Sequence, residues 1–329
     1  MVKGDSMSRR LEKKTSKKKL ILISIMSALL IIMALGGVYV MRLSSKVERL
    51  KINREEVKNT GQEPIKEDKD VINIALLGSD KSNSYETAAD SIMILTINHV
   101  KGELKLSSIM RDTTLEAPGY GEQNINDTVI IGGPELLLKT LNTNFNLQID
   151  KFVQVNLQSL PIIIDKLGGV EMEITDDEIR FINSYIKDID NKNGTSTSQI
   201  TKSGLVNLNG TQATAYSRIR YTEGRDFKRT ERQRDVIVAL FDKFKNISIG
   251  EITGMVEELL PLVKTNLTNT EIISIGTKVL GGSNKTIQQA RFPEDEDLTA
   301  GFEDGYYRMR INKEATTEKM HKFIYSLEE

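Results

Sequence analysis

The sequence predicts a layered α/β/α domain with a central mixed β-sheet, preceded by one transmembrane helix. Two observations support this prediction. An uncharged apolar segment occupies residues 20–41, close to the N-terminus. Beyond residue 70, apolar runs typical of buried strands alternate with helical segments, which is the pattern of a layered α/β protein. The chain has 329 residues, enough for one large domain or two small ones with proper cores.

The apolar segment has the length and the flanking charges of a membrane anchor. Residues 20–41 carry no charge, and about 20 apolar residues in a helix span the hydrocarbon core of a bilayer. Residues 1–19 form a basic tail, which the positive-inside rule places in the cytoplasm, with the rest of the chain outside the cell membrane. A cleaved signal peptide is the alternative, because residues 34–36 resemble a cleavage site. The apolar run continues past them, which favours a retained signal-anchor.

The segment between the anchor and the first predicted strand is polar. Residues 42–70 are rich in charge and poor in aromatic side chains, so we interpret them as an extracytoplasmic stalk. Residues 71–329 then form the globular domain, and the motifs described below lie within residues 71–245.

The ends of three predicted strands, two of which form a hairpin, carry opposite charges. These strands are 71–78, 91–98 and 103–110. The last two are joined by a loop of hairpin length, and we place Asn98 opposite Glu103. The same register puts Asp90, just before one strand, opposite Arg111, just after the other. This is either a plain cross-strand ion pair or part of a functional site that also includes Asp80, at the end of the first strand.

Strands and helices alternate further along the chain. The predicted helices are 132–145 and 159–169, and the predicted strands are 152–157 and 170–175. Pro134 suits the first turn of its helix, and glycines close the second helix. Between residues 176 and 204 the sequence turns polar, and KNGTSTSQ predicts a mobile surface loop.

A basic stretch, YSRIRYTEGRDFKRTERQR, holds seven basic residues among nineteen. Before it, Asn209 is predicted to cap a short helix over 211–217. Arg218 and Arg220 then follow in an extended segment, where positions i and i+2 project to the same side. The two guanidinium groups are therefore expected to act on one ligand or one surface.

The second half of the basic stretch begins a longer helix. Asp226 is predicted to cap this helix, which runs to about residue 245. Arg229 and Gln233 fall on the same stripe as its buried apolar residues. A buried cation needs an anion, which is either a carboxylate of the protein or a bound phosphate. The basic residues expected to face water are Arg225, Lys228 and Arg234.

Composition excludes several classes of site. The chain has no cysteine, which rules out disulfides, thiolate nucleophiles and Cys-rich zinc sites. Its two histidines, His99 and His321, are far apart, which argues against a catalytic triad centred on histidine. The net charge of −1 argues against a nucleic-acid footprint spread over the surface.

Seven short motifs, taken together, resemble the LytR-CpsA-Psr family of extracytoplasmic phosphotransferases. No single motif is specific, but all seven occur in the order typical of that family. The matching stretches are LLGSD (76–80), ADSIMI (89–94), SIMRDT (108–113), GGPE (132–135), KLGGVEMEI (166–174), LNGTQATAYSRIR (208–220) and RDFKRTERQ (225–233).

The resemblance implies a transferase that moves a glycopolymer, such as a teichoic acid or a capsule chain, from polyprenyl pyrophosphate to peptidoglycan. By this resemblance, Asp80 and Asp90 hold Mg²⁺ (or Mn²⁺) against the pyrophosphate. The residues that match the phosphate-binding positions are Arg111, Arg218, Arg220, Arg229 and Gln233. Those assigned to catalysis are Asp90, Arg111, Arg218 and Arg220.

The chemistry of these residue types agrees with the resemblance. Oxygen ligands suit a hard cation such as Mg²⁺, and arginine binds paired phosphate oxygens through two parallel hydrogen bonds. Asp90 is a metal ligand or the base that accepts the proton of the attacking sugar hydroxyl, and the sequence does not distinguish these roles. A prenyl chain needs an apolar groove, which side chains of the helices at 134–145 and 159–167 could line, although most of them are expected in the core.

Two other functions use many of the same features. A polyprenyl-pyrophosphate phosphatase would need the same charges but no groove for an acceptor sugar. A non-catalytic regulator of the cell envelope would not need the complete set of aspartates and arginines. For the transferase, the expected partners are a polyprenyl-pyrophosphate-linked glycopolymer, peptidoglycan and membrane lipid, and no nucleic acid is expected.

Overall fold

The computed structural model of the protein describes residues 48–58, 61, 70–80, 87–245, 258–281 and 286–326. The strands are β1 (Glu48–Arg49), β2 (Val71–Ser79), β3 (Ala89–Asn98), β4 (Glu103–Ile109), β5 (Thr114–Ala117), β6 (Gly121–Asn124), β7 (Phe152–Asn156), β8 (Val170–Ile174), β9 (Gly204–Leu208), β10 (Val263–Thr265), β11 (Ile287–Phe292), β12 (Leu298–Glu303) and β13 (Tyr306–Ile311). The helices are α1 (Arg54–Lys58), α2 (Thr128–Phe145), α3 (Ser159–Lys166), α4 (Asp176–Asn193), α5 (Gly210–Tyr216), α6 (Arg225–Lys245), α7 (Asn269–Gly281) and α8 (Lys313–Tyr325).

A mixed sheet with the strand order β1-β10-β7-β2-β3-β4-β11 forms the centre of the fold. Strands β2, β3 and β4 are antiparallel neighbours, whereas β7 and β11 pair in parallel with β2 and β4. In the β3–β4 hairpin, Asn98 pairs with Glu103, which confirms the predicted register. The end of β2, the start of β3 and the end of β4 therefore meet at one edge of the sheet.

Helices cover both faces of this sheet, as predicted. Along β2, Ala75 and Leu77 pack in the cluster that includes α2 and α8. Ile74 and Leu76 project to the opposite face, in the cluster that includes α6 and α7. This alternation follows from the two-residue period of a strand that is buried on both sides. A third apolar cluster joins α3, α4, α5, β8 and β9 to the flank of α6.

Two helices differ from their predicted bounds. Helix α2 begins four residues before the predicted 132–145 segment, with a kink where Gly132 and Gly133 leave helical geometry. The polar segment after residue 175 folds as helix α4, where we expected no regular structure. Its first turn is closed by a capping box between Thr175 and Glu178, and its apolar side chains Ile182 and Ile186 are buried.

Part of the predicted stalk belongs to the folded domain. Glu48–Arg49 pairs with β10 in the central sheet. The side chain of Val57 is fully buried in the core, and its carbonyl accepts a hydrogen bond of 3.0 Å from Asn142. The stalk prediction is therefore wrong for residues 48–58. The segment is polar in composition, but the buried side chain of a single valine attaches it to the core.

The predicted basic tail and the predicted transmembrane helix at 20–41 lie outside the described residues. Within the described ranges, none of the helices combines the length and the apolar character that a membrane span requires.

Candidate active site

Asp90 and Arg111 meet at the sheet edge where β2, β3 and β4 converge. Asp90 is the second residue of β3, and Arg111 lies two residues beyond β4. The Arg111 Nη1 atom donates a hydrogen bond to Asp90 Oδ1, as the hairpin register predicted. Carboxylates of Asp112 and Asp226 lie 3.5 and 3.9 Å from Arg111 Nε. Although burial opposes it, these negative charges raise the pKa of Arg111, which keeps the guanidinium charged.

Helix α5 directs Arg218 and Arg220 toward the same edge. Asn209 caps this helix, as predicted, by accepting a hydrogen bond from the Gln212 amide. Gly210 allows close packing on α3, because a Cβ atom there would lie 1.9 Å from the Pro161 carbonyl oxygen. The Asn209 cap and the close contact of Gly210 with α3 thus fix the position of α5. They also fix the start of the segment that carries Arg218 and Arg220.

The two arginines after α5 have different partners. The Arg218 guanidinium lies over the Tyr185 ring, 5.1 Å from its centroid. Arg220 Nη2 is 3.8 Å from Asp90 Oδ1, and Arg220 Nε is 3.8 Å from Asp226 Oδ1. Both side chains line one cavity, although Arg218 lies in a turn and not in the predicted extended segment.

Arg229 is the most buried cation of the site, with only 2% of its surface exposed. Its Nη2 atom is 2.8 Å from the Asp226 carboxylate, one helical turn earlier. Its Nε and Nη1 atoms are buried and have no hydrogen-bond partner among the described residues, and the same holds for Gln233 Oε1. Burial lowers the pKa of Arg229 to about 10, with Arg111 and Arg220 adding to the effect and Asp226 opposing it.

Arg229 therefore agrees with the sequence prediction in its orientation and in having an anionic partner. It faces inward, and a protein carboxylate neutralises part of its charge. A bound anion would accept hydrogen bonds from the two unpartnered nitrogens. Such an acceptor is expected, because buried polar groups normally have hydrogen-bond partners.

The expectation that Arg234 faces water is wrong. Its Nε donates to Gln289 and its Nη1 to Ser108, at 3.0 and 2.9 Å, so it bridges α6 to the strands beneath. Arg232, to which we assigned no role, is also buried and forms a 2.8 Å ion pair with Glu178 of α4. Arg225 and Lys228 are exposed, as predicted.

Sequence reasoning missed the role of Asp226. We assigned it only to the start of the helix, yet its carboxylate is within 4 Å of Arg111, Arg220 and Arg229. Its position three residues before Arg229 on a helix was a usable signal, because residues at this spacing are neighbours. Tyr185 was missed because helix α4 was not predicted.

A cavity of about 380 Å³ extends from these charges between the sheet and α6. Its polar mouth is lined by Asp80, Asp90, Arg218, Arg220, Arg229 and Gln233. Its apolar wall is formed by Leu76, Met93, Val153, Val155, Leu157, Leu160, Val236 and Ile237. The structure thus brings together the predicted metal-binding and phosphate-binding residues around one cavity, with Arg111 directly behind Asp90.

The helices expected to line an apolar groove contribute unequally. Leu160 of α3 lines the cavity. Helix α2 does not, because Leu137 and Leu141 pack in the core on the opposite face of the sheet. Helix α6 takes its place, with Val236 and Ile237 facing the cavity.

The two aspartates at the mouth have the chemistry of a magnesium site. Asp80 and Asp90 are carboxylates at one polar rim, and Mg²⁺ in proteins is commonly held by one or two carboxylates, substrate phosphate oxygens and water. Asp80 also lies 3.5 Å from Lys192 Nζ. The four arginines here are balanced by four aspartates, Asp80, Asp90, Asp112 and Asp226, so an incoming pyrophosphate would leave net negative charge. A divalent cation would offset that charge.

Another cluster of carboxylates already surrounds a lysine ammonium. Glu294, Glu296 and Asp297 are close enough to share an ion. Lys319 Nζ lies 2.8, 2.6 and 2.7 Å from them, so a lysine occupies their centre.

Residues 37–322 match the LytR_cpsA_psr family model. The chain belongs to this family. The resemblance seen in the seven motifs is therefore confirmed, and the match covers the whole of the site described above.

Individual relatives agree with this assignment. The chain is 28% identical to the regulatory protein MsrR of Staphylococcus aureus (strain COL) over 291 residues, which cover 85% of this chain and 83% of MsrR. It is 30% identical to the polyisoprenyl-teichoic acid–peptidoglycan teichoic acid transferase TagU of Bacillus subtilis (strain 168) over 280 residues, 83% of this chain and 86% of TagU.

Solved structures show the same fold. The crystal structure of B. subtilis TagT superposes with a TM-score of 0.64 at 22% identity, covering 84% of this chain and all of TagT. A structure of YwtF (TagT) with bound octaprenyl pyrophosphate lipid gives 0.61 at 21% identity, covering 84% of this chain and 99% of the other. The layered α/β/α architecture with a central mixed sheet is thus the fold of the family.

Proposed function

We propose that this protein is a membrane-anchored extracytoplasmic phosphotransferase. It moves a glycopolymer from polyprenyl pyrophosphate to peptidoglycan. The observation that carries the proposal is Arg229, a nearly fully buried arginine with two unpartnered nitrogens at the mouth of an apolar cavity. An arginine in this setting suits a ligand that is doubly anionic at one end and a hydrocarbon at the other.

A polyprenyl pyrophosphate has this division of properties. Its hydrocarbon chain would occupy the apolar cavity, where burial of apolar surface provides most of the binding free energy. Its pyrophosphate would lie at the mouth, within reach of Arg218, Arg220, Arg229 and Gln233. Guanidinium groups can each bind two phosphate oxygens, which fixes the orientation of the phosphate as well as its charge.

The reaction requires positioning and charge neutralisation more than covalent help from the protein. A hydroxyl oxygen of the acceptor sugar attacks the phosphorus that carries the glycopolymer, and a new P–O bond forms. The bond from that phosphorus to the bridging oxygen breaks, and prenyl phosphate leaves with the bonding electrons. The proton of the hydroxyl passes to a carboxylate, for which Asp90 is the candidate at the mouth.

The arginines stabilise the charge that accumulates on the phosphoryl oxygens and on the leaving group. Asp226 holds three of them in place, since Arg111, Arg220 and Arg229 all lie within 4 Å of its carboxylate. In this scheme Asp80 and Asp90 would hold Mg²⁺ (or Mn²⁺), which supplies additional positive charge to the pyrophosphate when bound.

The names of two of these relatives, TagU and YwtF (TagT), support this proposal. TagU is called a teichoic acid transferase that acts from a polyisoprenyl carrier to peptidoglycan, and YwtF (TagT) has been captured with octaprenyl pyrophosphate. A teichoic acid or a capsule chain is the glycopolymer that we propose by analogy. The uncharged segment 20–41 would anchor the protein in the cell membrane, where prenyl lipids reside.

A phosphatase is the main competing function, because water could replace the sugar hydroxyl at the same site. A non-catalytic regulator is less well supported, since it would not require the complete set of charges at the mouth.

A reconstitution experiment tests the proposal. Full-length protein in detergent would receive Mg²⁺, a glycan linked to undecaprenyl pyrophosphate, and peptidoglycan fragments. We expect mass spectrometry to detect a conjugate joined by a phosphodiester. Arg220→Ala should abolish the conjugate, whereas the exposed control Arg225→Ala should not. Absence of a conjugate, with release of prenyl phosphate, would favour the phosphatase.

A further inference from the structure

The hairpin formed by β12 and β13 exposes three aromatic side chains at its tip. Phe302, Tyr306 and Tyr307 are 78%, 69% and 41% exposed. Phe302 and Tyr307 pair directly across the hairpin, with their rings edge to face at 5.5 Å. A monomeric protein rarely leaves a group of large apolar side chains in water without a binding role.

The base of this hairpin is fastened to the loop that carries Arg111. The Met309 amide donates to the Asp112 carbonyl at 3.1 Å, and the Met309 side chain is almost fully buried. Met309 also forms a parallel bridge with Thr113. Because a strand rises about 3.3 Å per residue, Tyr306 lies roughly 10 Å along β13 from this attachment.

A second contact fixes the hairpin near its tip. Asn124 Nδ2 donates to the Tyr307 carbonyl at 2.9 Å. Asn124 ends β6, and two residues later the Asn126 amide donates to the Arg111 carbonyl. Two independent connections therefore join the hairpin to the segment that carries Arg111.

The chemistry of the tip suits a saccharide. The faces of aromatic rings carry partial negative charge, which attracts the C–H groups on the apolar faces of sugar rings. Asp304 and Arg308 follow the aromatic residues in sequence and can form hydrogen bonds with hydroxyl groups, whereas the Glu303 carboxylate is paired with Arg310 at 2.8 Å.

We propose that the β12–β13 tip is the docking surface for the acceptor, the glycan strand of peptidoglycan. This inference rests on the proposed transferase function and adds the place where its second substrate binds. Aromatic stacking at the tip holds the glycan strand while one of its hydroxyl groups reaches the pyrophosphate beside Arg111.

The test compares a tip variant with a matched control in the full-length protein. The tip variant is Phe302→Ala/Tyr306→Ala/Tyr307→Ala. The control is Tyr120→Ala, which removes an exposed aromatic ring from the turn between β5 and β6. Binding is measured by co-sedimentation with purified insoluble peptidoglycan and, separately, with phosphatidylglycerol vesicles. The donor site is monitored by the increase in melting temperature that geranylgeranyl pyrophosphate produces.

We expect the tip variant to bind peptidoglycan about tenfold or more weakly, because several stacking contacts are lost together. Its response to geranylgeranyl pyrophosphate and its vesicle binding should equal those of the parent protein, and Tyr120→Ala should change nothing. Unchanged peptidoglycan binding by the tip variant would overturn the inference, and so would a loss confined to vesicles. If the parent protein shows no response to geranylgeranyl pyrophosphate, the proposed function fails instead, and co-sedimentation still decides the role of the tip.

Discussion

Arg229 and Asp226 form an ion pair one turn apart at the start of α6, with 2.8 Å between Nη2 and the carboxylate. The carboxylate is shared with Arg111 and Arg220, so it cannot neutralise all three cations. Two buried nitrogens of Arg229 have no hydrogen-bond partner among the described residues, which is unfavourable without ligand and favours an anion. This relationship leads to the first prediction.

Arg229→Met should separate stability from activity. Methionine has a similar length and removes a buried charge, and replacing buried ionic groups by apolar ones is often neutral or stabilising. We expect an unchanged or higher melting temperature without ligand. Loss of one charge-assisted contact should slow transfer by roughly thirty- to a thousandfold. Arg229→Lys should recover only part of the rate, because lysine lacks the bidentate geometry. A variant that melts much earlier, or that transfers at the parental rate, would contradict this role.

The Glu178–Arg232 ion pair should contribute to the fold and not to chemistry. Both side chains are buried, and the pair lies 2.8 Å apart between α4 and α6. Arg232→Ala leaves a buried carboxylate unpaired and should lower the free energy of unfolding by about 3–5 kcal/mol. In the exposed pair Lys228–Glu231, Lys228→Ala should lower it by less than about 1 kcal/mol. Urea unfolding measures both values, and an equal effect of the two substitutions would refute the assignment.

Arg234→Ala tests whether Arg234 stabilises the fold, as its burial indicates, or faces water, as the sequence predicted. This side chain donates to Ser108 and Gln289 beneath α6. Its removal leaves the buried Ser108 hydroxyl without this donor, whereas the exposed Gln289 can bond water, so we expect a loss of about 1–3 kcal/mol in unfolding free energy. The transfer rate of the folded fraction should remain within a few-fold of the parent. A large loss of rate with normal stability would place Arg234 in the site.

Asp80→Asn and Asp90→Asn test the proposed metal site in different ways. Asp80→Asn should raise the Mg²⁺ concentration needed for half-maximal activity and weaken Mn²⁺ binding measured by calorimetry. Asp90→Asn should also reduce the rate at saturating metal, because Asp90 contacts Arg111 and lies near Arg220. Full activity of the parent protein in the presence of a chelator would rule out the metal.

His321 should make the fold sensitive to mild acid. Burial lowers its pKa, and the hydrogen bond with the Phe145 carbonyl opposes this effect only in part. The neutral ring thus contributes stability that is present above the ordinary pKa of about 6.5 and is lost as the pH falls through the lower folded-state value. His321→Gln should be less stable near neutral pH but should lose less stability than the parent between about pH 7 and pH 5. Identical pH dependence in thermal unfolding would show that His321 does not titrate in this way.

Local patterns in the sequence predicted much of the site. The hairpin register fixed the contact between Asp90 and Arg111, and helical periodicity placed Arg229 on the buried stripe of α6. The Asn209 cap was also correct. Each of these depends on residues close in sequence, where backbone geometry determines the outcome.

The features that were missed depend on distant contacts. Arg234 packs against strands that are distant in sequence, where Ser108 and Gln289 accept its hydrogen bonds. Val57 is buried because α2 packs over it, although its neighbours are polar. Helix α4 is different, since the Thr175–Glu178 capping box and the spacing of Ile182, Ile186 and Ile189 were readable signals in an otherwise polar segment.

Oxygen-isotope labelling provides the most direct test of the central claim that this site transfers a phosphoryl-linked glycopolymer to a sugar hydroxyl. The full-length protein would react with a glycan on undecaprenyl pyrophosphate and with peptidoglycan fragments in ¹⁸O-labelled water. We predict a phosphodiester conjugate and prenyl phosphate that both contain no ¹⁸O, because the new bond uses the acceptor oxygen. Incorporation of ¹⁸O into the glycan phosphate, without a conjugate, would show hydrolysis and contradict the account.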